Sequence, residues 1–192
     1  MIITIARQCG CQAKAIGRLL AQKYGLTLYT RQNLLQIAKE RGTLAEMDDF
    51  FREYPVDDLI NAISLYTEEH DEVQERFCRS FNNIIGQEHC IIIGRCGNHI
   101  FRHRDDLVSI FLHGDLQRRI LNIAENKSIS LNEAADFVED IDEQRAVYHK
   151  YYTGLTWGNS ADYDLSLDSC RLGVENSARI IEEYINLSVQ RP

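Results

Sequence analysis

Ile2, Ile3 and Ile5 form a short β-branched run with no polar face, and from Ile16 the apolar residues fall at helical spacing through Leu19, Leu20 and Tyr24. The opening of the chain therefore reads as strand, loop, helix. Gly25 suits the left-handed position just past a helix, and residues 26–29 follow as a second short strand. A helix then runs from Arg31 to Gly42, with Thr30 as its N-cap and Leu34, Leu35 and Ala38 on one face. Thr43 and Glu46 form a capping box for a short helix that Pro55 ends, and the composition stays helical from Val56 to about Gln87. Its apolar stripe passes through Leu59, Ile63 and Tyr66, then Val73, Phe77, Phe81 and Ile84.

Cys90 to Ile93 is apolar without alternation, as a central parallel strand covered on both faces requires. It runs into Gly94-Arg95-Cys96-Gly97-Asn98. Residues 107–112 form another such strand, followed by Gly114 and by Asp115 as the N-cap of a helix with Leu116, Ile120 and Leu121 inward. Ser130 and Glu133 make a capping box for a long helix carrying Asp142, Arg145, His149 and Tyr152 on one face. That stripe fits either a solvated face or a lid. Gly154, Trp157-Gly158 and Asn159 mark a loop, residues 164–169 alternate as a last strand, and a helix from about Val174 buries Ala178, Ile181 and Ile185. Five short strands separated by helices imply a parallel sheet with helices on both sides.

The length of 192 residues suits one domain, alone or with an inserted lid, and 44% hydrophobic residues suffice for its core. A net charge of −8 argues against non-specific binding to nucleic acid or an anionic membrane. No stretch approaches the length of a membrane span, and Arg7 interrupts any apolar leader, so the expected place is the cytoplasm. The six cysteines are scattered as reduced thiols are, and Cys9-x-Cys11 finds no His or Cys cluster with which to hold a metal.

Chemistry is sought first in the loop after the opening strand, where backbone amides and a helix N-terminus can meet a phosphate. The G-x-x-x-x-G-K-[ST] template laid on this loop puts Arg7 at the first glycine, Gln12 at the second and Ala13 at the lysine, with Lys14-Ala15 just after it. The match is absent at every key position. From the residues alone the segment is either a phosphate loop or an ordinary first crossover. Arg95 stands between glycines at the carboxyl end of a core strand, where open α/β sheets bind ligands. Arg118 and Arg119 point about 100° apart on their helix, so only one of them faces the cleft. The helical stretch from 55 to 87 is longer than a crossover needs and acidic on its outer faces; acceptor binding, a dimer surface and plain packing all remain open.

Taken in order, Ile3-Thr4-Ile5-Ala6-Arg7-Gln8-Cys9-Gly10, Ile93-Gly94-Arg95, Ile110-Phe111-Leu112 with Arg118-Arg119, Asp142-x-x-Arg145-x-x-Tyr148 and Tyr163-Asp164-Leu165 resemble the cytidylate-kinase-like branch of the P-loop nucleoside monophosphate kinases. The resemblance covers nearly the whole chain. It implies a P-loop NTPase-like three-layer α/β/α sandwich with a five-stranded parallel sheet. It also implies one domain over 1–192, with a helical substrate-binding insertion at about 43–87 and a lid at about 118–158. Its members transfer the γ-phosphoryl group of ATP to CMP or dCMP with Mg2+. Carried over, Arg7, Gly10, Cys11, Gln12, Ala13, Lys14 and Ala15 line the donor phosphates. Arg95, Asp142, Tyr148 and Asp164 belong to the acceptor side, with Asp142 either binding substrate or orienting Arg145, and Lys14, Arg118, Arg119 and Arg145 to the transferring group.

The loop departs from the family's Gly-Ser-Gly-Gly run, reading Gly10-Cys11-Gln12-Ala13 before Lys14. Gln12 and Ala13 resist left-handed angles, and Ala15 lacks a hydroxyl for magnesium. A weak or altered kinase is therefore expected. The alternatives are a nucleotide-binding regulatory module without turnover, or a kinase of a small non-nucleotide metabolite. A homodimer on the long helices stays open.

Overall fold

The computed structural model describes residues 1–40, 42, 75, 78, 79, 81–86 and 88–189. Five parallel strands form one sheet: β1 (Ile2–Arg7), β2 (Thr27–Tyr29), β3 (Cys90–Ile93), β4 (Leu107–His113) and β5 (Leu165–Asp168). Their spatial order is β2-β3-β1-β4-β5. β1 sits in the middle with Ile5 opposite Ile93 on one side and Ile110 on the other. Its crossover leaves toward β2 whereas those of β3 and β4 leave the other way, so a crevice opens at its carboxyl end.

Helices with described bounds are α1 (Ala13–Tyr24), α2 (Arg31–Glu40), α3 (Gly97–Ile100), α4 (Leu116–Lys127), α5 (Leu131–Thr153) and α6 (Ser169–Val189), the last kinked at Gly173. Side chains alternate across the sheet, so each strand feeds two apolar layers. Ile3, Ile5, Ile91, Ile93 and Ile110 pack beneath α1 and α6, together with Ile16, Leu20, Ile181 and Ile185. Ile2, Cys90 and Ile92 face the opposite layer, which contains Leu34, Phe81, Ile85, Phe101 and Tyr152. This is the three-layer sandwich that the succession of runs implies. No described helix is long and apolar enough to cross a membrane.

Some local expectations are corrected. Leu116 and Leu121 are 50% and 48% exposed rather than inward. The contact of α4 with α5 begins at Ile120 and continues through Ile123 and Ala124, and Leu121 lies roughly 200° around the helix from the buried Arg119. Thr30 stands at the N-cap position, its carbonyl accepting from the Leu34 amide at 3.0 Å, but the side-chain cap is supplied by Asn33: the Thr30 amide and hydroxyl both donate to Asn33 Oδ1, and Asn33 Nδ2 reaches back to the Leu28 carbonyl at 2.7 Å. The final helix starts at Ser169, directly after β5, and Gly173 at φ 79° separates its first turn from the rest. The stripe Asp142-Arg145-His149-Tyr152 is turned inward, with His149 only 3% exposed. The predicted capping box at Ser130 and Glu133 is present. The capping box at Thr43 and Glu46, the stop at Pro55 and the insertion from 43 to 87 lie largely outside the described residues. Of its stripe, Phe81 and Ile84 are described and buried.

Candidate active site

β1 ends at Arg7 and α1 starts at Ala13, and the loop between them bends at Gly10 (φ 87°) and Gln12 (φ 53°, ψ 26°). Glutamine thus takes the left-handed angle that it was expected to resist, at a cost of about 1–2 kcal/mol. External contacts hold it there. The Arg7 carbonyl accepts from Arg145 Nη1 at 3.1 Å, that of Cys9 from Arg119 Nη1 at 3.3 Å, that of Gly10 from Asn122 Nδ2 at 2.9 Å and that of Cys11 from Ser169 Oγ at 3.1 Å. In a trans peptide the following N–H points the opposite way. The amides of Gly10 and Gln12 are therefore aimed away from α4 and α6, and with those of Ala13 and Lys14 they find no hydrogen-bond partner among the described residues. This is an amide-lined concavity at a helix N-terminus, suited to an anion. A Cβ on Gly10 would sit 2.5 Å from the Arg119 carbonyl oxygen, so only glycine fits.

Beside the loop lies a group of guanidiniums. Asp142 is their hub: Oδ2 accepts from Arg119 Nη1 at 2.5 Å, Oδ1 accepts from the Cys9 amide at 2.6 Å, and Arg145 Nη1 stands 3.6 Å from Oδ1. Arg119, 7% exposed, also donates Nε to the Gly114 carbonyl at 3.1 Å. Arg7 is held down at about 9 by desolvation, then by the charges of Arg145 and Arg95. Burial likewise lowers Arg145 and raises the Cys9 thiol.

Arg95 reaches this group through an unusual turn. Gly94, Arg95 and Cys96 are successive left-handed residues at φ 75°, 57° and 54°. Two of the three are not glycine, a form of strain found at ligand sites. The turn lets Arg7 Nη1 occupy the space over Gly94 where a Cβ would otherwise project, and it places the Arg95 guanidinium 5.0 Å from the Tyr148 ring centroid. Burial raises the Tyr148 phenol well above its ordinary value.

The structure thus brings together Arg7, Arg95, Arg119, Arg145, Asp142 and Tyr148 beside the loop, and leaves three expected residues elsewhere. Arg118 is exposed and donates Nη1 to the Cys170 carbonyl at 3.2 Å, so Arg119 is the inward member of the pair. Lys14, in the first turn of α1, is exposed and makes no ion pair among the described residues. Asp164 is a structural tie: its Oδ2 accepts from both the amide and the hydroxyl of Ser109 at 2.7 Å, joining β5 to β4. Arg31, whose charge acts on the Tyr148 phenol, was missed. The signal was available, because Arg31 opens a helix just past β2 as Arg95 follows β3. Asn122 and Ser169, which hold the loop carbonyls, carry no such signal.

The excess of guanidinium over carboxylate favours a phosphorylated ligand. Among the described residues no group of three or more His, Cys, Asp or Glu side chains could hold a metal ion. The sequence matches the pattern of the cytidylate kinase-like family over residues 2–171. It is 26% identical to a cytidylate kinase from Methanosarcina mazei, covering 88% of this chain and 87% of that one. Against a cytidylate kinase from Sulfurisphaera tokodaii the identity is 19%, over 100% and 98% of the two chains. The fold matches that of an uncharacterized protein from Eubacterium ventriosum with a TM-score of 0.74 at 22% identity, covering 97% and 98% of the chains. The chain belongs to the cytidylate kinase-like family.

Proposed function

We propose that this member of the cytidylate kinase-like family transfers the γ-phosphoryl group of ATP to a nucleoside monophosphate, with CMP or dCMP as acceptor. One observation carries the reading: buried Arg7 is pressed down by desolvation and by the charges of Arg145 and Arg95, Arg95 also acts on Arg145, and the carboxylate acting on both Arg7 and Arg145 is Asp142. Guanidiniums do not discharge at neutral pH, so the cluster is relieved by bringing in an anion. The two relatives named above act in the proposal's support for cytosine.

In this reading the amides of Gly10, Gln12, Ala13 and Lys14 cradle the donor phosphates, and Arg7 supplies the positive charge that the absent lysine would bring. Arg95, seated on Tyr148, binds the acceptor phosphate. Arg145 neutralises the transferring group. Such transfer is chiefly positioning and charge stabilisation, which this equipment provides. Arg119 and Asp142 are positioning residues, because their polar atoms are committed to each other and to the loop backbone. Residues 118–158 carry Arg145 over the site as its lid. Magnesium would be held by phosphate oxygens and water, since Ala15 has no hydroxyl and both Asp142 oxygens are engaged. The free thiols suit a reducing cytoplasm.

The test is ADP release from ATP and magnesium over a panel of nucleoside monophosphates and small phosphorylatable metabolites, beside Arg95→Ala. CMP- or dCMP-dependent turnover that the variant loses establishes the reading. The exposed Lys14 and the missing hydroxyl favour a second reading, nucleotide binding without turnover. An ATP-induced rise in Tm with no ADP from any acceptor would establish that one instead.

A further inference from the structure

We infer that Cys11 and Cys170 are a redox-responsive dithiol that closes to a disulfide across the β1–α1 loop when a hydroperoxide reaches Cys170. All six cysteines are free, and among the described residues this is the pair whose sulfurs touch, with Sγ to Sγ at 3.9 Å. One member is in the loop and the other in the first turn of α6, so the bond would join the loop to the far end of the sheet. Cys11 is 1% exposed, whereas Cys170 retains some solvent access.

The surroundings of Cys170 suit the attacking role. Its Sγ lies 3.9 Å from both the Gly10 carbonyl oxygen and Asn122 Nδ2, and it packs where a Cβ on Gly114 would stand. The hydrogen bond from Cys11 holds the Cys170 thiol below its ordinary value, helped by Arg119 and Arg118, while the same contact and burial push Cys11 up. Burial raises Cys9, Cys78, Cys90 and Cys96, which keeps those thiols protonated and unreactive.

The chemistry balances within the pair and the peroxide. The Cys170 thiolate attacks the hydroperoxide, an S–O bond forms as the O–O bond breaks, and the leaving alkoxide or hydroxide takes up a proton. Cys11 sulfur then attacks the sulfenic sulfur; the S–S bond forms, the S–O bond breaks, and hydroxide leaves with the Cys11 proton as water. The two thiols lose two electrons and the peroxide gains them. A reducing thiol reverses the bond.

Closure from 3.9 Å to the roughly 2.05 Å of an S–S bond draws Cys11 toward α6. The Cys170 thiol also ceases to face the Gly10 carbonyl, and the planes carrying the Gly10 and Gln12 amides must turn. If the loop binds phosphate as proposed above, oxidation weakens that binding.

The experiment treats the whole chain with hydrogen peroxide and follows free thiols, non-reduced peptide masses and ATP affinity by calorimetry. Two thiols should disappear with a peptide link between Cys11 and Cys170, and Cys170→Ser should keep the Cys11 thiol that the native chain loses. Cys11→Ser should stop at a sulfenic acid on residue 170, trapped by dimedone. A link between any other pair, or no reaction at Cys170, overturns the inference. ATP affinity of the oxidised chain should fall at least fivefold and return with dithiothreitol. If the link forms and affinity is unchanged, the dithiol stands and the phosphate role of the loop falls.

Discussion

Two buried polar regions of this molecule handle charge in opposite ways. At the carboxyl edge of β1 and β3, Arg7, Arg119 and Arg145 share a single hub, Asp142, and Arg95 adds its charge to Arg7 and Arg145. On α3 and α5, His99 Nδ1 and His149 Nε2 are buried with no hydrogen-bond partner among the described residues. Desolvation holds both histidines at about 4; on His99 the charges of Arg102, His149 and His103 press the same way, and Asp162 opposes on both. A histidine escapes the cost of burial by losing its proton, so that region needs no ligand and reads as packing. An arginine keeps its proton, and the cost stays until an anion arrives. Burial alone therefore does not mark a site; burial of a charge that cannot be shed does.

The largest effect that would break this contrast is on the hub. Asp142→Ala leaves Arg119 buried beside Arg145 without a carboxylate and frees the Cys9 amide. Removing one partner of a buried pair costs about 3–5 kcal/mol. Urea denaturation should show that loss, and added inorganic phosphate should restore more stability to the variant than to the native chain. Equal stabilisation of both would mean that the cluster does not take anions.

Arg145→Ala sharpens the same side. Its guanidinium touches the Arg7 carbonyl and Asp142 without bridging to another acid, so stability should change little beside turnover. Loss of a donor to a transferring phosphoryl group costs about a hundredfold in kcat. Turnover within threefold of the native chain would remove Arg145 from the mechanism.

The histidine side is tested by pH. For both histidines the folded state binds its proton only near pH 4, while the unfolded chain binds it near 6.5. The unfolded state thus holds more protons between these values, and stability falls as pH drops from about 6.5 to 4. From pH 7 to 5 the share of His149 is about 2 kcal/mol, taking 1.36 kcal/mol for each pKa unit. His149→Leu should flatten the acid limb of Tm against pH by that share, whatever its effect at neutral pH. An unchanged limb would show that His149 is not neutral in the folded protein.

The two regions were not equally legible. Strands β1, β3 and β4 follow from short, largely apolar runs, and the start of α5 from a reciprocal cap, because each of these depends on neighbours in sequence. Arg95 was legible too, as a charge set between glycines past a core strand. The rest depends on contacts between distant segments. Asp164 closes on Ser109 of β4 rather than on a ligand, and Leu116 and Leu121 are turned out because Arg119 claims the inward face of α4. Gln12 goes left-handed because Asn122, Ser169 and Arg119 fix the carbonyls around it, against its own preference. No periodicity reports such contacts.

Arg118 gives the smallest effect and the cleanest control. It is adjacent in sequence to Arg119 and identical in chemistry, but it is exposed, and among the described residues it donates to the Cys170 carbonyl at 3.2 Å. Arg118→Ala should change stability by no more than about 0.5 kcal/mol and leave turnover within about threefold. Arg119→Ala, which strips contacts from Asp142 and from the Cys9 and Gly114 carbonyls, should by contrast cost several kcal/mol. Denaturation midpoints of the two variants side by side decide the point. Matching losses would mean that net positive charge at this edge, rather than the seating of one guanidinium against Asp142, is what the fold requires.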